Sequence, residues 1–316
     1  MHVLVSDPIH EVGLELLREG GYTVELGYDL DDAALGEQLE GVHALIVRSA
    51  TTVTEAHLDN APELRIIARA GIGVDNVDID AATERGIQVV NAPTGGVQAV
   101  AEHTLALAFA LVRDLPATDR STREGAWPKA GYAGGELTGK TLGIIGLGRI
   151  GTAVAKRAMT LGLEVIAYDP FVAAGELEGL DVELAPLKVC LDRGDIVTIH
   201  TPLTDETRGM FDEGLLRHLE GGYLINCARG GIVDEVALAK LLAAGHLEGA
   251  ALDVFEDEPL SADHPLCEQD RAILTPHIAG SSERAQRTIA RSVASQVIAA
   301  LEGASVDHPV NQPMTT

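Results

Sequence analysis

The chain is short of the residues that usually mark special chemistry or a membrane. Among 316 residues there are 3 cysteines, 1 tryptophan, 5 tyrosines and 4 phenylalanines. Cys190, Cys227 and Cys267 lie far apart and form no C-x-x-C pair. That spacing argues against a disulfide framework or a cysteine-held zinc, and fits reduced thiols. The 11 histidines are scattered without H-x-x-x-H spacing, so no metal site is expected. No apolar run approaches the roughly 18 residues needed to span a bilayer. The N-terminus, MHVLVSD, has no basic stretch followed by an apolar core, so no signal peptide is expected and the placement is cytoplasmic. Lysine is scarce too: 5 of 23 basic residues, against 48 acidic ones, for a net charge of −25. Such a field repels nucleic acid and anionic membranes. An acidic, lysine-poor surface suits a halophilic setting, where molar salt screens charges within a few Å.

What is present is α/β alternation, at a length that suits two domains. Strand-like runs occur at 2–6, 22–26, 44–49, 64–70 and 87–91, with helix-like segments such as 31–40 and 77–85 between them. This predicts a parallel sheet covered by helices. The turn after the first run, SDPIHEVG, lacks the glycines that cradle a phosphate. Residues 97–116 read as one long amphipathic helix ended by Pro116. A glycine-rich loop follows, and the alternation restarts at Lys140 through LGIIG, EVIAYD, DIVTIHT, GYLINCA, GAALDVF and AILTPH. A last helix is expected over 282–302.

The restart carries a dinucleotide fingerprint. The apolar run Leu142–Ile145 enters Gly146-Leu147-Gly148-Arg149-Ile150-Gly151, and a helix-like segment follows. Gly146 permits a tight turn, Gly148 lets the backbone approach a pyrophosphate, and Gly151 lets helix and strand pack closely. Asp169 ends the next strand, 23 residues after Gly146. A carboxylate there accepts bonds from both ribose hydroxyls and repels a 2′-phosphate, which favours NAD over NADP. A second α/β half then remains to hold a substrate, and such a pair of domains makes a cleft.

Three further stretches follow strand-like runs in the same half. They are NCARGGIVDE with Arg229, LDVFEDEP with Asp253 and Glu258, and LTPHIAGSS with His277. In open α/β sheets, ligands bind outside the carboxyl ends of the strands.

Together with RSATTVT (48–54), ARAGIGVDNVD (68–78), GKTLGIIGLGRIG (139–151), YDP (168–170) and HTPLT (200–204), these runs resemble the D-2-hydroxyacid dehydrogenase family. Within it, the runs resemble those of the 3-phosphoglycerate-oxidising members. The runs stand in family order and cover the chain from about residue 1 to 310. The resemblance implies two Rossmann/flavodoxin-like α/β domains. Residues 1–93 plus 282–316 would bind substrate, and 94–281 would bind NAD. It implies His277 as general base, Glu258 orienting it and stabilising its protonated form, and Arg229 gripping the substrate carboxylate. Asp253 would meet the nicotinamide carboxamide. Thr201, Pro202 and the backbone at Cys227 and Ala228 would line the cofactor site, beside Gly146, Gly148, Arg149, Ile150, Gly151 and Asp169. Arg48, Arg69 and the backbone of Gly71, Ile72 and Gly73 would bind substrate. Ala50, Thr52, Thr94 and Gly96 depart from residues common in the phosphoglycerate branch, where a regulatory C-terminal region often follows the catalytic core. A homodimer or homotetramer is implied, with the 97–116 helix in the interface. Two alternatives stay open: a dehydrogenase of an unphosphorylated acid (glyoxylate/hydroxypyruvate or D-lactate type), and an NAD(H)-sensing corepressor-like binding protein.

Overall fold

A computed structural model describes residues 1–127, 129–173, 175 and 179–313. Pro128, within the expected loop, and residues 314–316 of the expected C-terminal return lie outside the described residues. Packing divides the chain into two compact units, Met1–Gly96 with Gly280–Thr316, and Val97–Ala279.

The first unit begins β1 (His2–Val5), α1 (Glu11–Glu19), β2 (Thr23–Leu26), α2 (Asp32–Gln38), β3 (Ala44–Val47) and α3 (Glu55–Asp59). It continues β4 (Ile66–Arg69), α4 (Ile79–Glu84) and β5 (Gln88–Asn91). The sheet order is β2-β1-β3-β4-β5, all parallel, the flavodoxin-like arrangement. The central strands β1, β3 and β4 are apolar except at their ends, His2 and Arg69, because both faces are covered. Successive side chains point to opposite faces. Val3, Val5, Ala44, Ile46, Ile66 and Ala68 therefore enter one core, and Leu4, Leu45, Val47, Ile67 and Val89 the other.

The second unit opens with α5 (Val97–Val112) and α6 (Leu115–Arg123). The single helix expected over 97–116 is thus two. Asp114 takes φ 46° and breaks the first, while Pro116 sits in the opening turn of the second. Proline needs no helical N–H partner there, so it starts a helix instead of stopping one. The unit continues β6 (Thr141–Ile145), α7 (Arg149–Thr160), β7 (Glu164–Tyr168), β8 (Glu183–Leu184), α8 (Leu187–Arg193) and β9 (Ile196–Ile199). It closes with α9 (Glu213–Leu216), β10 (Tyr223–Asn226), α10 (Glu235–Ala243), β11 (Gly249–Leu252) and β12 (Ala272–Leu274). These seven strands form one parallel sheet ordered β12-β11-β10-β9-β6-β7-β8. The order reverses at β6, which has β9 on one side and β7 on the other.

The chain then returns to the first unit as α11 (Glu283–Leu301), capped by Ser282, whose hydroxyl accepts the Ala285 N–H. Ile289, Val293 and Val297 pack on the face shared with α1. The tail is anchored too: the Asn311 side chain accepts the Val89 N–H at 2.7 Å.

Candidate active site

Every strand of the second sheet is parallel, so all its carboxyl ends share one edge. At β6 the chain turns through Gly146 at φ 93°, where a Cβ would lie 2.8 Å from the His200 backbone. A Cβ on Gly151 would overlap the Gly146 carbonyl oxygen, so both glycines are required by close packing. A Cβ on Gly148 would meet nothing within 4 Å. Gly148 is the N-cap of α7, where free N–H groups and the positive dipole end suit an anion. Arg149 and Ile150 form the first turn behind it. At the end of β7, Asp169 accepts the Leu147 N–H at 2.8 Å and the Phe171 N–H at 2.9 Å, which fixes its carboxylate against the glycine turn. At the end of β9, the buried His200 Nδ1 and Thr201 Oγ1 find no hydrogen-bond partner among the described residues. Burial pushes the His200 imidazole down to about 3, so this ring is neutral. Pro202 follows, and its carbonyl accepts the Thr207 hydroxyl at 2.7 Å. Orphaned polar atoms, an open glycine cap and a fixed carboxylate at a strand-order reversal fit a dinucleotide. Gly146, Gly148, Gly151, Asp169 and Thr201 would hold it.

The neighbouring strands carry the reactive groups. After β10, Asn226 shapes the turn: its side chain accepts the Ala228 N–H at 3.0 Å and donates to the Arg229 carbonyl at 2.9 Å. Arg229 Nη1 donates to the Ala228 carbonyl at 2.7 Å. A Cβ on Gly230 would overlap the Phe255 carbonyl oxygen, so the arginine turn lies directly on the segment after β11. The Cys227 thiol is enclosed. Burial pushes it up to about 12, against a hydrogen bond with Thr104 and with some help from Asp253. It is inert, and only the backbone here can serve a ligand.

His277 and Glu258 meet. Nδ1 of the imidazole lies 2.7 Å from Glu258 Oε2, while Oε1 accepts the Phe255 N–H at 3.0 Å. Burial raises the Glu258 carboxyl. The His277 bond, the Phe255 N–H and the charges of His277 and Arg229 together outweigh it, and the group lies below its usual range. An ionised Glu258 accepts only, so Nδ1 carries the proton and Nε2 is left as the acceptor. His277 takes φ 52°, unusual for a residue with a Cβ and costing about 1 kcal/mol. A pocket walled by Phe255, Leu260, Leu274 and Pro276 adjoins the pair.

Asp253 is fully buried. Its oxygens accept from Thr275 Oγ1 at 2.5 Å, Ile278 N–H at 2.9 Å and Ala279 N–H at 2.8 Å. The structure therefore shows it binding the loop that carries His277. Sequence reasoning assigned nothing to Asn226, Thr275, His103 or Glu235, yet all four shape this edge. Glu235 is buried and accepts the Glu256 N–H at 2.7 Å, which anchors the segment leading to Glu258. Burial raises its carboxyl, against the Glu256 N–H and the His264 charge.

In the first unit, Arg69 ends β4 and its guanidinium folds over Gly71, where a Cβ would overlap Nη1. The Ile72 carbonyl accepts from the Asn91 side chain at 2.6 Å, and Gly73 follows in the same turn. Arg48 follows β3 and donates to Ser281 Oγ at 3.0 Å. These residues share the carboxyl edge of the first sheet.

This arrangement defines a class. Residues 105–279, more than half of the chain, match the family model described as D-isomer specific 2-hydroxyacid dehydrogenase, NAD binding domain, and the chain belongs to that family. Among individual proteins, it is 43% identical over 314 residues to the D-3-phosphoglycerate dehydrogenase of Archaeoglobus fulgidus, covering 99% of this chain and 60% of the relative. The chain thus spans about three-fifths of that relative's length. Among solved structures, the TT0316 protein of Thermus thermophilus superposes with a TM-score of 0.92 at 37% identity, over 98% of this chain and 100% of that one. The NAD-dependent formate dehydrogenase of Staphylococcus aureus, solved in complex with NAD, gives 0.89 at 29% identity, over 99% and 100%.

Proposed function

We propose that this chain catalyses NAD-dependent oxidation of a D-2-hydroxy acid, with D-3-phosphoglycerate as its substrate and serine biosynthesis as its role. The observation that carries the reaction class is the His277–Glu258 pair beside Arg229, on the same sheet edge as the glycine turn.

Bound NAD supplies the hydride acceptor. His277 Nε2 takes the proton of the C2 hydroxyl, and imidazole suits that task because its unperturbed pKa of about 6.5 lies near working pH. Glu258 fixes the tautomer and offsets the charge that forms on the ring. Arg229 holds the substrate carboxylate through its planar fork, a geometry that lysine does not offer. Asp253 keeps the His277 loop in place, and we assign it the nicotinamide contact as well. Arg48, Arg69 and the backbone of Gly71, Ile72 and Gly73 take the rest of the substrate. A phosphate on C3 needs cations on a chain with net charge −25, and these two arginines are the candidates. The name of the Archaeoglobus relative supports the phosphorylated substrate.

The test is NADH absorbance at 340 nm, with D-3-phosphoglycerate, D-glycerate and D-lactate compared in about 2 M KCl. The phosphorylated acid is expected to lead in kcat/KM by about 100-fold, equal to roughly 2.7 kcal/mol of differential binding. A lead by the unphosphorylated acids would assign the chain to another substrate in the family.

We also place the protein in the cytoplasm as a homodimer or homotetramer. Phe109 and Leu115 on α5 and α6 are exposed and suit a subunit contact. No described helix is long and apolar enough to cross a membrane. The acidic surface supports function at high salt. The melting temperature is expected to rise between low salt and about 2 M KCl as carboxylate repulsion is screened. An unchanged or falling value would remove the halophilic reading.

A further inference from the structure

One polar cluster lies behind the reactive pair, and of its members only Asp253 has a role in the scheme above. It joins α5 to the loop after β12. His103 Nε2 lies 3.3 Å from Thr275 Oγ1 and 3.6 Å from Asp253 Oδ1. Thr275 Oγ1 stands 2.5 Å from the same Asp253 oxygen. A carboxylate only accepts and a hydroxyl has one proton, so Thr275 donates to Asp253. Its oxygen must then accept from His103, which places a proton on Nε2. His103, Thr275 and Asp253 therefore form a directed chain of donors ending on a buried carboxylate.

That carboxylate organises the residues on both sides of His277. Oδ1 also holds the Ile278 N–H, and Oδ2 holds the Ala279 N–H. The Asp253 carbonyl accepts the His277 N–H at 2.8 Å. His277 itself sits at a positive φ, a conformation that persists only when its surroundings enforce it. Thr275 and Ile278 flank the strained residue, and both bond to Asp253 Oδ1. His103 is the one member of the cluster supplied by another secondary-structure layer. It ties a 16-residue helix, with Val100, Ala101 and Thr104 buried beside it, to the loop.

We propose that His103 is a positioning residue: through Thr275 and Asp253 it holds the His277 loop in its reactive geometry. The effect on catalysis rests on the reaction proposed above, whereas the effect on the loop does not. A loop displaced by about 1 Å costs up to about 100-fold in rate without removing any reacting group. The interaction also explains why α5 carries a half-buried histidine on a face otherwise made of Val, Ala, Thr and Leu.

The test uses the full chain with His103→Leu, His103→Gln, Thr275→Val and the double variant His103→Leu/Thr275→Val. Leucine keeps the volume and removes the donor, while glutamine restores an N–H at about the position of Nε2. Amide hydrogen exchange by mass spectrometry reads the loop without reference to activity. In His103→Leu the peptide spanning 276–280 is expected to exchange about 10-fold faster, with α5 and α7 peptides unchanged. In the oxidation assay kcat is expected to fall about 10- to 100-fold with substrate KM within about 3-fold. Glutamine should restore both readouts to within about 3-fold, and the double variant should fall no further than His103→Leu. Wild-type exchange in His103→Leu overturns the proposal. So does a glutamine variant as impaired as leucine, or faster exchange throughout α5, which would make His103 a packing residue. If His103→Leu does not fold, Thr275→Val and His103→Gln decide on the same readouts. If the wild type oxidises none of the acids, the proposed reaction fails, and exchange still settles the loop.

Discussion

His277→Ala lowers kcat by roughly 10²–10⁴-fold, the usual scale for losing a positioned acid–base group. The argument rests on the tautomer. Glu258 holds Nδ1–H at 2.7 Å, which leaves Nε2 as the group that takes a proton. Alanine removes that acceptor but leaves the glycine turn, Asp169 and Arg229 in place. NADH affinity, measured by fluorescence titration, should therefore change by less than about 3-fold while turnover collapses. The pH profile adds a second check. The Glu258 carboxyl lies below its ordinary range, so it stays anionic through the weakly acid region. The orientation and stability it lends are present above the ordinary carboxylate pKa and disappear as pH falls through the lowered one. Loss of oxidation between neutral and weakly acid pH is therefore not a titration of Glu258, and it should remain in Glu258→Gln, with a lower plateau. Near-wild-type turnover in His277→Ala would move the base elsewhere.

The readability of this site follows from where its groups lie along the chain. Arg229, Glu258 and His277 each follow an apolar strand, and strand ends can be recognised locally. The central strands were legible for the same reason: Leu4, Leu45 and Ile67 are buried on one face, and Val3, Ile46 and Ile66 on the other, so each run reads as continuous apolar sequence. Elements too short for a period escaped, among them α3 at Glu55–Asp59 and β8 at Glu183–Leu184. Pro116 was misread because proline marks both ends of helices, and only the φ of Asp114 tells which. The supporting groups were hidden for another reason. His103 and Thr275 meet across a separation of 172 residues, and nothing local to AEHT announces a partner. Asn226 stood within a motif that was recognised, but its work is to hold its own turn, which only geometry displays. Asp253 was legible as important, and its dense bonding to Thr275, Ile278 and Ala279 came from the fold.

Arg229→Lys separates the geometry of the carboxylate clamp from its charge. Lysine keeps one positive charge near Glu258, so the electrostatic pull on that carboxyl largely persists. What it loses is the planar fork. Arg229 already donates one N–H to the Ala228 carbonyl, which orients the guanidinium against its own turn. The turn is rigid: Asn226 clamps it on two sides, and Gly230 lies against the Phe255 backbone with no room for a Cβ. An ammonium on a flexible stem can neither use that anchor nor offer two parallel donors to a carboxylate. Charge-assisted bonds are worth about 1.5–3 kcal/mol each, so losing one predicts a fall in kcat/KM of about 10- to 100-fold. Arg229→Gln loses the charge as well and should fall further. If the contact tightens as charge develops at C2, kcat drops along with kcat/KM. If the arginine only binds the ground state, KM rises and kcat holds. A lysine variant within a few-fold of wild type in kcat/KM would place the clamp elsewhere. Arg69, over the Gly71 turn, would then be the next residue to change.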